Sequence, residues 1–111
     1  MFIVETGTGA TDANAFWDVD AYHSIRGNAA WVGDNALKEA AIVRATAFLS
    51  VSYQWQGYKL KGRPQALAWP RYGAVDRENW AIGPNEIPIE IKYATAEVAL
   101  RELIAPGSMS P

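Results

Sequence analysis

The placement of glycine and proline divides this chain into two kinds of sequence. Residues 36–53 contain neither, and alanine occurs five times in the first twelve of them. The next segment, residues 54–86, contains four glycines and three prolines. Proline interrupts a helix and glycine weakens one. The sequence therefore predicts one long helix, capped by Asp34 or Asn35, followed by an ordered loop region with room for a short hairpin.

A shorter helix is predicted before the long one, over residues 19–26. Asp18 precedes it as a candidate N-cap, and Gly27 follows it in the position that favours a left-handed residue. Trp17 and Tyr22 have the spacing of a hydrophobic staple.

A third helix is predicted to begin near Asn85–Pro88, with Asn85 as cap and Pro88 in the first turn, and to end before Pro106. Its apolar residues form two stripes: Ile87, Ile91, Ala94 and Val98, then Tyr93, Ala96, Leu100 and Leu103. Two stripes on one helix indicate two contact surfaces, such as the protein's own core and a neighbouring chain.

Together these elements predict a mainly α fold of three helices, or four, in a single domain spanning residues 1–111. An extended N-terminal arm, residues 1–16, would precede a helical pair, residues 17–53. A tryptophan-rich basic loop region, residues 54–86, would connect that pair to the last helix, residues 87–104.

Charge is distributed unevenly along the chain. The net charge of −2 argues against a general nucleic-acid binder. Residues 1–53 carry three basic and six acidic side chains, and residues 81–111 carry two and four. Residues 54–80 carry five basic and two acidic side chains, interleaved with six aromatic residues if Tyr53 is included. A basic, aromatic middle segment thus lies between two acidic ends.

No enzyme signature is visible. The one histidine, His23, follows Tyr22 in a predicted helix, and its neighbour Ser24 points in another direction, so an ordinary packing or surface role is expected in place of catalysis. Gly7 and Gly9 resemble the start of a dinucleotide fingerprint, but Asp12 occupies the third glycine position. Cysteine is absent, which excludes thiolate metal sites. We expect no reaction, no metal and no cofactor.

No membrane association is expected either. The longest run without a charged residue, from Ala45 to Tyr58, has 14 residues. A spanning helix needs about 20 mostly apolar residues.

The middle segment admits two interpretations from its composition. Aromatic platforms combined with cations are typical of proteins that bind single-stranded nucleic acid. Tryptophan, tyrosine and arginine are also enriched at protein–protein interfaces, where tryptophans pack and cations form a rim. Composition favours the second interpretation about two to one.

The residues also carry a resemblance to a known family. WQGYKLKGRPQALAWPR at residues 55–71 and NEIPIEIKYATAEVALREL at residues 85–103 resemble head-tail connector (adaptor, head completion) proteins of tailed bacteriophages. YHSIRGNAAW and KEAAIVRATAFLSVSYQW extend the resemblance upstream. A neighbouring family in the same group is labelled a DnaT-like single-stranded DNA-binding protein.

The resemblance implies a structural virion protein with no active site. Such a subunit forms a homo-oligomeric ring, commonly of about twelve copies, beneath the portal protein. The ring extends the channel for passing duplex DNA, which it contacts without sequence specificity, and offers a surface to tail or stopper proteins. The implied location is the capsid vertex of the virion, after synthesis in the host cytoplasm.

Seven residues are candidates for the fold and interface signature: Trp69, Pro70, Arg71, Trp55, Lys59, Lys61 and Arg63. Trp69 is expected to be a buried anchor and Pro70 to fix the turn. Arg71 has two possible partners, a group on another helix or subunit, or a carboxylate of the third helix in the same chain.

The alternative function is single-stranded DNA binding. It would use five residues of the middle segment: Trp55, Tyr58, Lys59, Lys61 and Trp69. A cytoplasmic interaction module unrelated to phage is a third possibility.

Overall fold

The computed structural model describes residues 1–107, so the end of the predicted domain, residues 108–111, lies outside the described residues. The elements in chain order are helix α1 (Asp20–Ile25), helix α2 (Asn35–Ser52), strand β1 (Tyr58–Lys59), strand β2 (Arg71–Tyr72) and helix α3 (Ile89–Ile104). The predicted mainly α class is confirmed, and the described residues contain three helices.

Helices α2 and α3 pack antiparallel and form most of the core. Leu49, near the end of α2, shares a buried cluster with Ile91 in the first turn of α3. Ala41 and Ala45 share a second cluster with Ala96 on α3, and all three are fully buried. Small side chains on both helices allow the two backbones to approach closely.

The helix ends confirm some predicted caps and correct others. Asp34 caps α2, since its carboxylate accepts a hydrogen bond from the Leu37 amide at 3.0 Å. The prediction for Asp18 is wrong, because Val19 is the N-cap residue of α1 and makes no side-chain cap bond. Gly27 adopts the expected positive φ, +64°.

The predicted cap of α3 is also wrong, because Pro88 rather than Asn85 occupies the N-cap position. Pro88 has an extended backbone there (φ −56°, ψ 144°), and both Ile87 and Pro88 are buried. Because these two residues are buried, the first turn of α3 lies against the core. The N-cap position is therefore three residues after Asn85.

The N-terminal arm is extended and folds back on itself. The Glu5 amide donates to the Ala15 carbonyl at 2.9 Å, and Val4 and Ala15 form an isolated parallel bridge. The next residue, Phe16, is fully buried, and its amide donates to the Thr46 hydroxyl of α2 at 3.1 Å. The arm is therefore part of the core.

Within residues 1–107, no helix combines the length and the apolar character that crossing a bilayer requires.

Candidate functional site

The loop between β1 and β2 is closed around one buried amide side chain. Gln65 is 2% exposed, and its Oε1 accepts from the Lys61 amide at 3.0 Å. Its Nε2 donates to the carbonyls of Leu67 at 2.8 Å and Pro70 at 2.9 Å. The Lys59 ammonium donates to the Gln65 carbonyl at 3.2 Å. Gln65 thus fixes both sides of a loop that has no regular secondary structure, a role that the local sequence pattern does not predict.

Arg71 fixes the base of the same loop. Its guanidinium donates to three carbonyls, those of Gln56 at 2.7 Å, Gly57 at 2.9 Å and Ala68 at 3.0 Å. Burial lowers the pKa of Arg71, and the three acceptors compensate for the water that its charge loses. Of the two partners that the sequence left open, the carboxylate of the last helix is therefore wrong, since the guanidinium is used on backbone carbonyls within the loop region.

Trp69 and Trp55 belong to the core and not to an exposed surface. Trp69 is 4% exposed, as predicted for an anchor, and is followed by a cis peptide bond to the buried Pro70. Trp55 is half-buried and packs edge-to-face on Trp69, with ring centroids 5.7 Å apart. Its indole N–H donates to the Leu49 carbonyl at 3.2 Å. The Trp69 ring is therefore not free to stack on a ligand as the alternative function required, whereas the half-buried Trp55 ring keeps part of its surface accessible.

A different aromatic pair is exposed instead. Antiparallel pairing of β1 and β2 places Tyr58 opposite Tyr72. Their ring centroids are 5.6 Å apart at 37°, and the side chains remain 69% and 49% exposed. We call these two residues the tyrosine pair. Sequence reasoning had selected Tyr58 and missed Tyr72, because strands of two residues leave no alternation that reveals their register.

The cations of the loop region differ in availability. Lys61 and Arg63 are exposed and lie in the loop that connects the two strands of the tyrosine pair. Arg77 is exposed in the following turn. Lys59 and Arg71 are partly buried and hydrogen-bonded to carbonyls. Three of the five cations of this segment therefore remain accessible to an anionic partner.

A compact turn, residues 75–81, follows β2. Val75 and Ala81 form an antiparallel bridge, and Asp76 Oδ1 accepts from the amides of Glu78 at 2.9 Å and Trp80 at 3.0 Å. Trp80 is 71% exposed on this turn. The interpretation in which the tryptophans of the middle segment pack against other residues therefore does not hold for Trp80 within this chain.

An open cleft of about 350 Å³ separates this turn from the beginning of α3. Its lining includes Gln54, Trp55, Gln56, Arg77, Ile82 and Ile91. The side-chain oxygen of Gln56 accepts a hydrogen bond from the Val75 amide at 3.2 Å. This bond links the segment just before β1 to the turn.

The N-terminal arm is hydrogen-bonded to the loop between β1 and β2. The buried Glu5 carboxylate accepts hydrogen bonds from four amides, those of residues 7, 8, 9 and 10, at 2.8–3.1 Å. In the segment held in this way, the Ala10 carbonyl accepts a hydrogen bond from the Ala66 amide at 3.0 Å. Gly9 leaves no room for a Cβ, which would lie 2.8 Å from Gln65 Oε1. The glycines that resembled a dinucleotide fingerprint serve this packing.

The sequence predicts a packing or a surface role for His23, and the structure shows the packing role. His23 is 1% exposed, with Nε2 2.9 Å from the Ala96 carbonyl and Nδ1 2.9 Å from the Asn28 amide nitrogen. One neutral tautomer satisfies both contacts, with Nε2 donating and Nδ1 accepting. Residues 1–107 contain no group of three or more His, Cys, Asp or Glu side chains arranged to hold a metal ion.

Comparison with known proteins gives one family. A family model described as "Putative DnaT-like ssDNA binding protein" matches residues 1–110. Neither the curated proteins nor the solved structures provide a match. Because the model covers nearly the whole chain, from the N-terminal arm through the tyrosine pair to the end of α3, the chain belongs to the DnaT-like ssDNA-binding protein family.

Proposed function

We propose that this protein binds single-stranded DNA at the tyrosine pair and performs no reaction on it. The proposal rests on one observation: Tyr58 and Tyr72 are exposed side by side on two paired antiparallel strands. The description of the family supports the same class of ligand.

The chemistry of the pair suits an unpaired base. Every base has a π-face, so stacking on tyrosine tolerates any sequence and contributes about 1–3 kcal/mol per base. Lys61 and Arg63, in the connecting loop, supply cations for the phosphates. Because Gln65 and Arg71 hold the loop before DNA arrives, binding requires little ordering of the backbone.

The uneven charge distribution restricts the DNA contact to the middle segment. Residues 1–53 and 81–111 are each net acidic, and only the middle segment is net basic. A strand of DNA is therefore attracted to the tyrosine pair and repelled by the acidic segments. A low overall affinity for duplex DNA follows from the net charge of −2.

The test is fluorescence anisotropy with a labelled oligo-dT. Wild-type protein should bind with an affinity that falls steeply as salt increases. Tyr58→Ala and Tyr72→Ala should each weaken binding about tenfold. Tyr93→Ala is the matched control, a partly exposed tyrosine on α3 outside the loop region, and should bind as wild type. Absence of binding by the wild-type protein at low salt would contradict the proposal.

A second candidate is the ring subunit of a phage head-tail connector, at the virion's capsid vertex between portal and tail proteins. It rests on the resemblance of residues 55–71 and 85–103, and one structural observation favours it. The outward face of α2 is mainly apolar. Leu37 is 57% and Val51 82% exposed, exposed Ala40 and Ala47 lie between them, and exposed Ala36 precedes Leu37.

Such a face suits a neighbouring copy of the chain. Light scattering should then give the mass of a ring of about twelve copies, and Val51→Asp should lower that mass. A monomer at every concentration, unchanged by Val51→Asp, would contradict self-assembly through this face.

A further inference from the structure

We infer that the cleft lined by Gln54, Trp55, Arg77 and Ile82 is a subsite for one unstacked nucleobase of the bound strand. This inference rests on the proposed single-stranded DNA binding and names the part of the ligand that the cleft takes. The tyrosine pair would hold the strand, and an adjacent base would turn into the cleft.

The cleft is directly connected to the tyrosine pair through Gln56. Its carbonyl accepts from Arg71, the residue before Tyr72, at 2.7 Å. Along the chain, Gln56 is separated from Tyr58 only by Gly57, whose missing Cβ allows the Tyr72 carbonyl to lie close. The Gln56 side chain lines the cleft. A strand stacked on the pair therefore has the cleft within reach of its next nucleotide.

The lining has the chemistry of a base site. Trp55, Ile82 and Ile91 give apolar walls for the faces of a planar ring. Gln54 makes no hydrogen bond within residues 1–107, so its amide is available as both donor and acceptor for a base edge. The Arg77 guanidinium, exposed in the lining, can bind the phosphate of the same nucleotide.

The charges of the lining favour a neutral occupant. Asp76 and Glu90 line the cleft together with Arg77. Asp76 Oδ1 is already used by two amides of the turn, but both carboxylates oppose an anion inside the cleft. A phosphate is thereby kept outside, near Arg77, while an uncharged base meets no such repulsion.

Trp69 provides an independent observation at the cleft. It lines the cleft, is 4% exposed, and its indole N–H has no acceptor among the described residues. A buried donor without an acceptor is unfavourable. A base carbonyl that reaches this N–H supplies the missing acceptor.

The experiment fills the cleft and compares oligo-dT affinities. Ile82→Trp adds bulk to the cleft wall and should weaken binding about tenfold. Val32→Trp is the matched control, because it adds the same indole at an exposed position in the connection between α1 and α2. It should bind as wild type. Gln54→Ala, which removes no hydrogen bond among the described residues, should weaken binding about threefold, and it tests the subsite if Ile82→Trp does not fold.

A second readout follows the indole N–H signals of the wild-type protein by ¹H–¹⁵N NMR. Oligo-dT should shift the signals of Trp55 and Trp69, and that of Trp31, which lies outside the loop region, should stay in place. Wild-type affinity in both Ile82→Trp and Gln54→Ala would overturn the subsite while leaving the tyrosine pair intact.

The outcomes separate the two proposals. Failure of the wild-type protein to bind oligo-dT overturns the proposed function itself. If Ile82→Trp leaves oligo-dT affinity unchanged and instead alters the mass of the protein in light scattering, the cleft is a protein contact and the base subsite is wrong.

Discussion

The α2–α3 pair and the loop region of residues 54–86 are stabilised in different ways. The helices are held by many apolar side chains at helical spacing, such as Leu49 against Ile91. The loop is anchored in that same buried cluster by Leu67 and Trp69. Elsewhere it is held by a few polar side chains bonded to backbone carbonyls and amides, chiefly Gln65, Arg71 and Asp76. The first arrangement distributes stability over many contacts, whereas the second concentrates it in single residues.

This contrast shows where in the fold an exposed binding site can form. A helix face that buries its apolar residues leaves little aromatic surface for a ligand. A loop braced from within by polar side chains can keep its shape while Tyr58, Tyr72 and Trp80 remain exposed. Substitutions in the two regions should therefore have separable effects on global stability and on binding.

The largest effect is expected for Leu49→Ala in the helical pair. Removing a buried leucine leaves a cavity, so the free energy of unfolding should fall by about 3 kcal/mol. Urea denaturation followed by circular dichroism measures it. At temperatures where the variant is folded, oligo-dT affinity should be unchanged. A loss below about 1 kcal/mol would show that the core relaxes around this position.

Gln65→Leu should lower the free energy of unfolding by about 2 kcal/mol, because buried partners of the amide lose their hydrogen bonds. Hydrogen exchange should accelerate in residues 59–71 and remain unchanged in α2 and α3. Gln54→Leu, at an exposed position without hydrogen bonds among the described residues, is the control. Uniform acceleration across both regions would show that the loop does not open independently.

Arg71→Lys keeps the positive charge and removes the planar fork. A single ammonium cannot satisfy three carbonyls in that geometry, so a loss of about 1 kcal/mol is expected. Oligo-dT affinity should fall with it, since β2 carries Tyr72. Stability and affinity equal to those of the wild type would mean that charge alone is sufficient here.

The smallest effect concerns Tyr22 and appears only at alkaline pH. Its hydroxyl donates to the Glu97 carboxylate at 2.5 Å, and this hydrogen bond, with burial, raises the pKa of Tyr22. The folded state thus holds the proton more tightly than the unfolded state. The contribution to stability is complete below the ordinary tyrosine pKa of about 10 and is lost as pH rises through the folded value.

Tyr22→Phe should remove this alkaline loss of stability. Thermal unfolding of both proteins between pH 8 and about 11 measures it. Tyr93→Phe, in ring contact with Tyr22, is the control and should keep the alkaline loss. Parallel pH profiles for Tyr22→Phe and wild type would contradict the assignment.

Local sequence signals were sufficient to predict that the three helices exist, but not where each of them begins. The glycine- and proline-free segment became α2, Asp34 capped it, and Gly27 took the left-handed conformation. Each depends on residues within a few positions of one another. The caps predicted at Asp18 and Asn85 failed because burial of neighbouring residues, Val19 and Ile87, decided where the first turns begin.

The sequence alone determined the mainly α fold and the basic, aromatic character of the middle segment, because composition and helical periodicity are local properties. Which aromatic residues face solvent depends on the three-dimensional packing: Trp69 is buried, whereas Trp80 and the tyrosine pair are exposed. It also gave Arg71 backbone carbonyls as partners in place of a carboxylate. A segment without periodicity does not encode a buried face, so these outcomes depend on contacts between residues distant in the chain.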